Sequence, residues 1–519
     1  MSEAEERRER LLFIGLALII CLLPLPLGGA RPLAWDVMGL AVAFLLLGAL
    51  SLSFAAFGGL RRDLSVPLLL FGAVVGFAWL QSSDLAPSAW HDPLWRKAGE
   101  ALGREVAGHV AADPQLAAAH LFRLLAYGGV FLLAAILARN PRRAKKLIAL
   151  VAVTGTAYAL YGLIVYWSGN NRLLWFAKWA YGGDLTSSFV NRNSFSTYLG
   201  LAIMAALAYL GSGLAELDFY GDRRDKARIV IEYLGTRWWL LASLCLLVIA
   251  LLLTHSRGGF LSCIAGALAM LLAMARAPSL KRLGKAGLVV ILPMLALLLA
   301  AMVSSGRATF ERLLLSGQES AERRAVDRLL LQAIGDHPLV GTGLGSFFSV
   351  FARYRGPDIA SYYDLAHNDY LQNMLELGLP AAGGLLLCLL WLAALCLRGI
   401  RVRRKDAVLP CLGLSVTILV GLHAASDFSL QIPAVTVTYL VLLAAAVAQS
   451  RSYRRGDDQG ARVEMIPTAP PPVSAQAPRR LGALSESRWS ESAQRSDIAA
   501  SKSACAPGSA ARLSRMGDL

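Results

Sequence analysis

Uninterrupted apolar runs of roughly 18 to 24 residues recur along this chain, and no other feature restricts its fold so tightly. "LLFIGLALIICLLPLPLGG" (11–29) is the first and "PAVTVTYLVLLAAAVAQ" (433–449) the last. As a helix, each run can cross a hydrocarbon layer about 30 Å thick. No water reaches the backbone there, so every amide must be bonded internally. Barrel strands meet that demand with alternating apolar and polar residues, whereas these runs are continuous. The expected fold is an all-α polytopic integral membrane protein. A hydrophobic fraction of 56% and a mean hydropathy of +0.52 lie well above a soluble mixture.

About twelve transmembrane helices are expected, near 11–29, 37–60, 65–82, 121–138, 145–168, 194–213, 237–255, 258–275, 287–304, 377–397, 409–425 and 433–449. Cytoplasmic loops carry an excess of Lys and Arg. With "ERRER" inside, the inner loops become "RRD" (61–63), "ARNPRRAKK" (138–146), "GDRRDKAR" (221–228), "RAPSLKRLGK" (276–285) and "RGIRVRRK" (398–405). Every alternate loop is basic, which places both termini in the cytoplasm. The opening "MSEAEERRER" runs into an apolar stretch without a small-residue cleavage site, so a retained span is expected. The net charge of +16 would point to nucleic acid in a soluble protein. Here the basic loops account for much of it, and no nucleic-acid partner is expected. Of seven cysteines, all but Cys505 lie in or beside apolar runs, with neither metal-ligand spacing nor a disulfide framework. They act as small hydrophobes.

Two larger segments fall outside, at 83–120 and 305–376, the second between the ninth and tenth spans. Connections this long carry function or structure of their own, and "PLWRKAGEALGREVAGHV" (93–110) in the first is helix-like. Residues 1–450 form the expected membrane domain. Residues 451–519, rich in Ala, Ser, Pro and Arg, read as a disordered cytoplasmic tail. No internal repeat is evident, which counts against a transporter built from paired halves.

Five polar stretches gather on the outer face: "SSFVNRNSF" (187–195), "THSRGGF" (254–260), "ERRAVDRLLLQAIGDHPLVGTGLGSF" (322–347), "AHNDYLQ" (366–372) and "SDFSLQ" (426–431). Arg192, Arg257, Arg323 and Arg324 are permanently charged forks suited to phosphate oxygens. The adjacent Arg323 and Arg324 cannot face one direction, and Arg324 is the favoured site residue. His367 can accept a proton near neutral pH. No carboxylate cluster or His pair has metal spacing, so no metal or cofactor is expected. Blander roles stand beside these. Asn191 and Asn193 cap a span or bind sugar hydroxyls, Asp369 caps a helix or orients His367, and Tyr370 anchors at the interface. Asp427 is a site candidate or a turn cap. "GTGLG" (341–345) lacks the Walker Lys and reads as a flexible turn.

The ordered series "VNRN", "SRG", "ERR…DHPLVGTGLGSF" and "AHNDYLQNMLELG" resembles the bacterial O-antigen ligase and O-antigen polymerase superfamily, most densely over 187–397. The resemblance implies transfer of a glycan from undecaprenyl diphosphate to an acceptor hydroxyl at the periplasmic face of the bacterial inner membrane, inverting and without metal. The acceptor would be a growing glycan, lipid A core or another hydroxyl. His367, Asn368 and Gly378 fit the ligase signature. His367 would be the catalytic base; Arg257 and Arg324, with Arg192 and Arg323, would hold the diphosphate. Asn191, Asn193, Asn368, Asp369, Tyr370 and Asp427 would support the substrates. The chain departs from the pattern at Ala381, usually Gly, Thr or Tyr, and at Asp327, usually aromatic. A flippase of lipid-linked sugars or a non-catalytic assembly partner is the rival expectation. Charge-poor spans count against the flippase.

Overall fold

The computed structural model describes residues 3–50, 52, 58–169, 171–218, 220–289, 322–357, 359, 361–403 and 406–451. These form helices α1 (Glu3–Leu22), α2 (Pro32–Leu50), α3 (Gly58–Ser82), α4 (Pro93–Leu102), α5 (Pro114–Leu137), α6 (Pro141–Trp167), α7 (Arg192–Leu214), α8 (Arg223–Thr236), α9 (Trp238–Leu253), α10 (Arg257–Arg276), α11 (281–289), α12 (322–336), α13 (Phe347–Tyr354), α14 (Asp369–Val402), α15 (Val408–Ala424) and α16 (Pro433–Ala448). Among the described residues, one two-residue pairing of Arg172–Leu173 with Phe176–Ala177 is the only sheet.

Seven helices are long and apolar enough to cross a membrane, or eight if α8 and α9, bent by 71°, make one span. That is fewer than the expected twelve. α15 and α16 are apolar but shorter, and the first two turns of α1 are charged. The expected span at 287–304 lies almost entirely outside the described residues, as does the tail from 452. Every other expected span overlaps a helix. Leu33, Val37, Leu40, Phe44 and Leu47 are exposed along α2. Their spacing of three and four makes an apolar stripe on the outside of the bundle, a lipid-facing surface rather than a core-facing one. α16 instead is buried along nearly its whole length, packed among α5, α6, α7, α14 and α15.

The starts of α7 and α14 share one group of inter-segment polar contacts and their ends another, so the bundle has two ends. At one, Lys145 pairs with Glu216 and with Asp406 at 2.7 Å, and Arg143 pairs with Glu9. Asp63 holds Arg451 at 2.6 Å. Gln449 donates to Ala138 O at 2.7 Å and accepts from Arg403 at 2.9 Å. Three of the five segments that sequence assigns to inner loops, 61–63, 138–146 and 398–405, thus meet here, and this is the basic end. The five polar motifs collect at the other.

The long outer segment builds a small core of its own. Val326, Leu330 and Ala333 of α12 pack with Phe347, Val350 and Phe351 of α13, and with Tyr363 and Leu375. It is seated on a break in α14. Gly378 has φ 76 and ψ 162, and Pro380 lies inside the helix. Proline has no N–H and clashes with the carbonyl four residues back, here Glu376. That freed carbonyl accepts from Gly343 N at 2.9 Å and Gln81 Nε2 at 3.0 Å, and Leu375 O accepts from Thr342 N at 3.0 Å. The "GTGLG" stretch is therefore a strap fixed onto the kink, not a flexible turn. Its three glycines all have positive φ, and a Cβ at Gly341 would lie 2.4 Å from Gly378 N. α4 is shorter than its sequence promised. It ends at Leu102 because Gly103, with φ 62, takes the left-handed C-terminal position.

Candidate functional site

Three motif stretches first serve as helix starts. Asn191 caps α7, Ser256 caps α10 and Asn368 caps α14, each side chain accepting from a first-turn backbone N–H. Arg192, Arg257 and Asp369 are consequently the first residues of their helices. The helix termini leave unsatisfied N–H groups and a partial positive charge at this end. His255 and His367 occupy equivalent places, one residue before the cap, with φ 52 and 54. Left-handed backbone is uncommon for a non-glycine residue and concentrates at functional sites.

The turn 423–431 between α15 and α16 is the hub. Asp427 is buried and accepts from the side-chain amides of Asn191, at 3.3 Å, and Asn193, as well as from Phe428 N at 2.8 Å. Both asparagines are thereby committed to the hub. Asp369 is also buried and accepts from Leu430 N at 3.1 Å and Gln431 Nε2 at 3.3 Å. It neither caps α14, which Asn368 does, nor holds His367. A carboxylate removed from water needs such donors, and these pin the turn in place. Tyr370 ties α14 to α15 through Gly421 O at 2.8 Å. From α10, a Cβ on Gly258 would lie 3.2 Å from Ser426 Oγ and 3.7 Å from His423 Nε2.

His367 stands edge-on to Phe428 of the hub, ring centroids 4.7 Å apart, and to Tyr363 at 5.4 Å. Its Nδ1 lies 3.2 Å from Leu365 O. A carbonyl only accepts, so Nδ1 carries the proton and Nε2 keeps a lone pair for a proton. Arg323 is near enough to act electrostatically on both Asp327 and His423. Burial pushes the Asp327 carboxyl above the usual carboxylate range, while Arg323 and His367 draw it back down. Arg324 is exposed and Arg323 half-buried, so of the adjacent pair Arg323 is the one whose charge reaches the hub. Arg257 is exposed at the start of α10.

Arg192 is placed differently. Its Nη1 meets Asp184 at 2.7 Å, and Asp184 also bonds His255 Nδ1 at 2.7 Å, while its guanidinium lies 5.3 Å from the Tyr181 ring centroid. Asp184 was not singled out from sequence. Neither was Arg123 in α5, buried at 7% exposure. It donates to Gln431 Oε1 at 2.9 Å, Gln431 O at 3.3 Å and His120 Nδ1 at 3.1 Å. A lone Arg inside "LFRLLAYGG" was the available signal, since charge in a spanning helix is costly and marks a site by default.

The long apolar helices with outward-facing leucines, and the cluster of His, Arg and carboxylates at one end, define a multi-pass helical membrane protein with a site at the boundary of its bundle. Residues 242–387 match the family described as O-antigen ligase. The match supports the resemblance to the O-antigen ligase and polymerase superfamily, and that family implies glycan transfer from a lipid-linked glycan to an acceptor. The matched stretch contains Arg257, Arg323, Arg324, His367 and the kink at Gly378; Arg123, Arg192 and Asp427 lie outside it. No curated protein matches the chain.

Proposed function

We propose that the protein is an inner-membrane enzyme that transfers a glycan from undecaprenyl diphosphate to an acceptor hydroxyl at the periplasmic face. In this reading the motif end faces the periplasm, and the chain crosses twelve times with both termini in the cytoplasm. Residues 1–450 are the catalytic membrane domain and 451–519 a cytoplasmic extension. The observation that carries the reading is the His367 imidazole, held by Leu365 O, Phe428 and Tyr363 with Nε2 left to accept a proton.

The acceptor oxygen attacks the anomeric carbon opposite the leaving group, so configuration inverts. Its proton passes to His367 Nε2, the bond from the anomeric carbon to the phosphate oxygen breaks, and the diphosphate departs as an anion. The imidazole activates the hydroxyl, so the step calls for no metal. Arg257 and Arg323 neutralise the leaving diphosphate, assisted by the helix starts at this end. Arg192, engaged by Asp184, positions the start of α7 and with it the asparagines that hold Asp427. Asn368 caps α14 directly after His367, while Asp369 and Tyr370 secure its first turn to the hub.

General-base help contributes about 10²–10⁴ in rate. Glycan transfer by His367→Ala in membranes at equal expression is expected to fall by that range. Near wild-type turnover would remove His367 from the mechanism.

A further inference from the structure

The basic segment 221–228 opens α8 and stays at the surface, with Arg224, Lys226 and Arg228 all exposed. Two helix lengths fix its level. α7 runs 23 residues from the motif end, about 35 Å at 1.5 Å per residue, and near its far end Leu210 O accepts from Tyr233 Oη of α8 at 3.2 Å. α9 returns to the motif end over 16 residues, about 24 Å. A hydrocarbon layer is about 30 Å thick, so the corner between α8 and α9 falls at its edge. Trp238, 68% exposed, and Trp239 stand at that corner, where tryptophan is enriched. The axis bends there by 71°. With α9 crossing the layer, α8 lies nearly in the plane of the membrane surface.

In that plane α8 is two-faced. Ala227, Val230, Ile231 and Leu234 recur at intervals of three and four and share one stripe. The protein covers it only in part: Val230 and Leu234 are half-buried, whereas Ala227 is exposed and Ile231 is 69% exposed. At about 100° per residue, Arg224 and Arg228 border the stripe on one side and Lys226 on the other, and Asp225 and Glu232 point the opposite way. The aspartates at the start are engaged by backbone. Asp222 accepts from Arg224 N at 2.8 Å and Asp225 N at 3.0 Å, and Asp225 accepts from Asp222 N at 3.0 Å. Five charged residues between 224 and 232 exclude this helix from the hydrocarbon itself. An apolar stripe edged by cations, with its acids turned away, is complementary to phosphates lying over acyl chains.

We infer that α8 is an interfacial helix that binds anionic phospholipid headgroups, with Arg224, Lys226 and Arg228 on the phosphates and Ile231 in the acyl boundary. The inference is independent of the glycan-transfer reading.

The test is native mass spectrometry of the full-length protein in detergent, titrated with dioleoylphosphatidylglycerol or dioleoylphosphatidylcholine. The wild type is expected to bind its first phosphatidylglycerol at least about tenfold more tightly than phosphatidylcholine. The double variant Arg224→Gln, Arg228→Gln is expected to lose roughly 10- to 30-fold in phosphatidylglycerol affinity with phosphatidylcholine unchanged. Should it not fold, Lys226→Gln, expected to lose roughly fivefold, decides the matter. Ile231→Asp should weaken both lipids. Arg96→Gln with Lys97→Gln, an exposed basic pair on α4, should change neither. Equal wild-type affinity for the two lipids overturns the inference, as does phosphatidylglycerol binding that survives the α8 charge variants. Equal losses in the α4 and α8 variants would reduce the effect to net charge and overturn it as well. Wild-type lipid binding by Ile231→Asp would put residue 231 in water, with the same result.

Discussion

At the basic end, Asp63 and Lys145 each meet an opposite charge on another loop, Arg403 meets Asp406 of its own loop, and most of these groups keep some contact with solvent. At the motif end, Asp369 and Asp427 are about 1% exposed and take backbone and amide donors instead. The arginines there divide between Arg192, which is neutralised, Arg323, which is half-buried, and Arg257, which is exposed. Loop charges paired with one another hold a topology and do little else. Carboxylates satisfied by neutral donors can fix a turn rigidly without consuming the cations around it. The contrast separates charge that ties loops together from charge that fixes a single turn.

That separation can be broken by mutation. The largest difference is expected between neighbours: Arg323→Ala should lower glycan transfer roughly 10²–10³-fold and Arg324→Ala less than about tenfold. Equal losses, in initial rates at matched expression, would mean that orientation toward the hub has no bearing on catalysis. Gly378→Ala comes next. Its φ of 76 and a Cβ 2.5 Å from Leu339 O should cost about 2–4 kcal/mol and loosen the strap, read as a fall in Tm with loss of transfer. Asp427→Ala strands the amides of Asn191 and Asn193, and about 1–3 kcal/mol is expected from thermal unfolding. The smallest effect belongs to the basic end. Asp63→Ala should change stability by about 0–1 kcal/mol and leave transfer untouched; a collapse of activity there would erase the contrast.

Much of the bundle was legible in the residues. Continuous apolar runs demanded helices, and three of the five Lys/Arg loops meet at one end as their charge suggested. Asn191 was legible as a helix cap, whereas the cap of α14 was expected at Asp369 and is Asn368. What escaped was contact between segments remote in sequence. Nothing near Asp184 shows that it will pair with Arg192 and His255, and nothing near Asp427 shows which amides it will receive. The choice between Arg323 and Arg324 turns on the face by which α12 packs against Phe347 and Phe351. Local pattern carries no information about that face's partner.

Composition and periodicity by themselves determined a helical membrane protein and the types of side chain gathered at one boundary. Those follow from backbone hydrogen bonding in lipid and from the placement of charge, both of which act along the chain. Only the tertiary structure decided that the turn 423–431 is the hub, that the glycine strap closes over a broken helix and that Arg123 bonds Gln431. These depend on freed carbonyls, buried carboxylates and neighbouring helix faces finding partners across hundreds of residues, and such pairing exists only once the helices have packed.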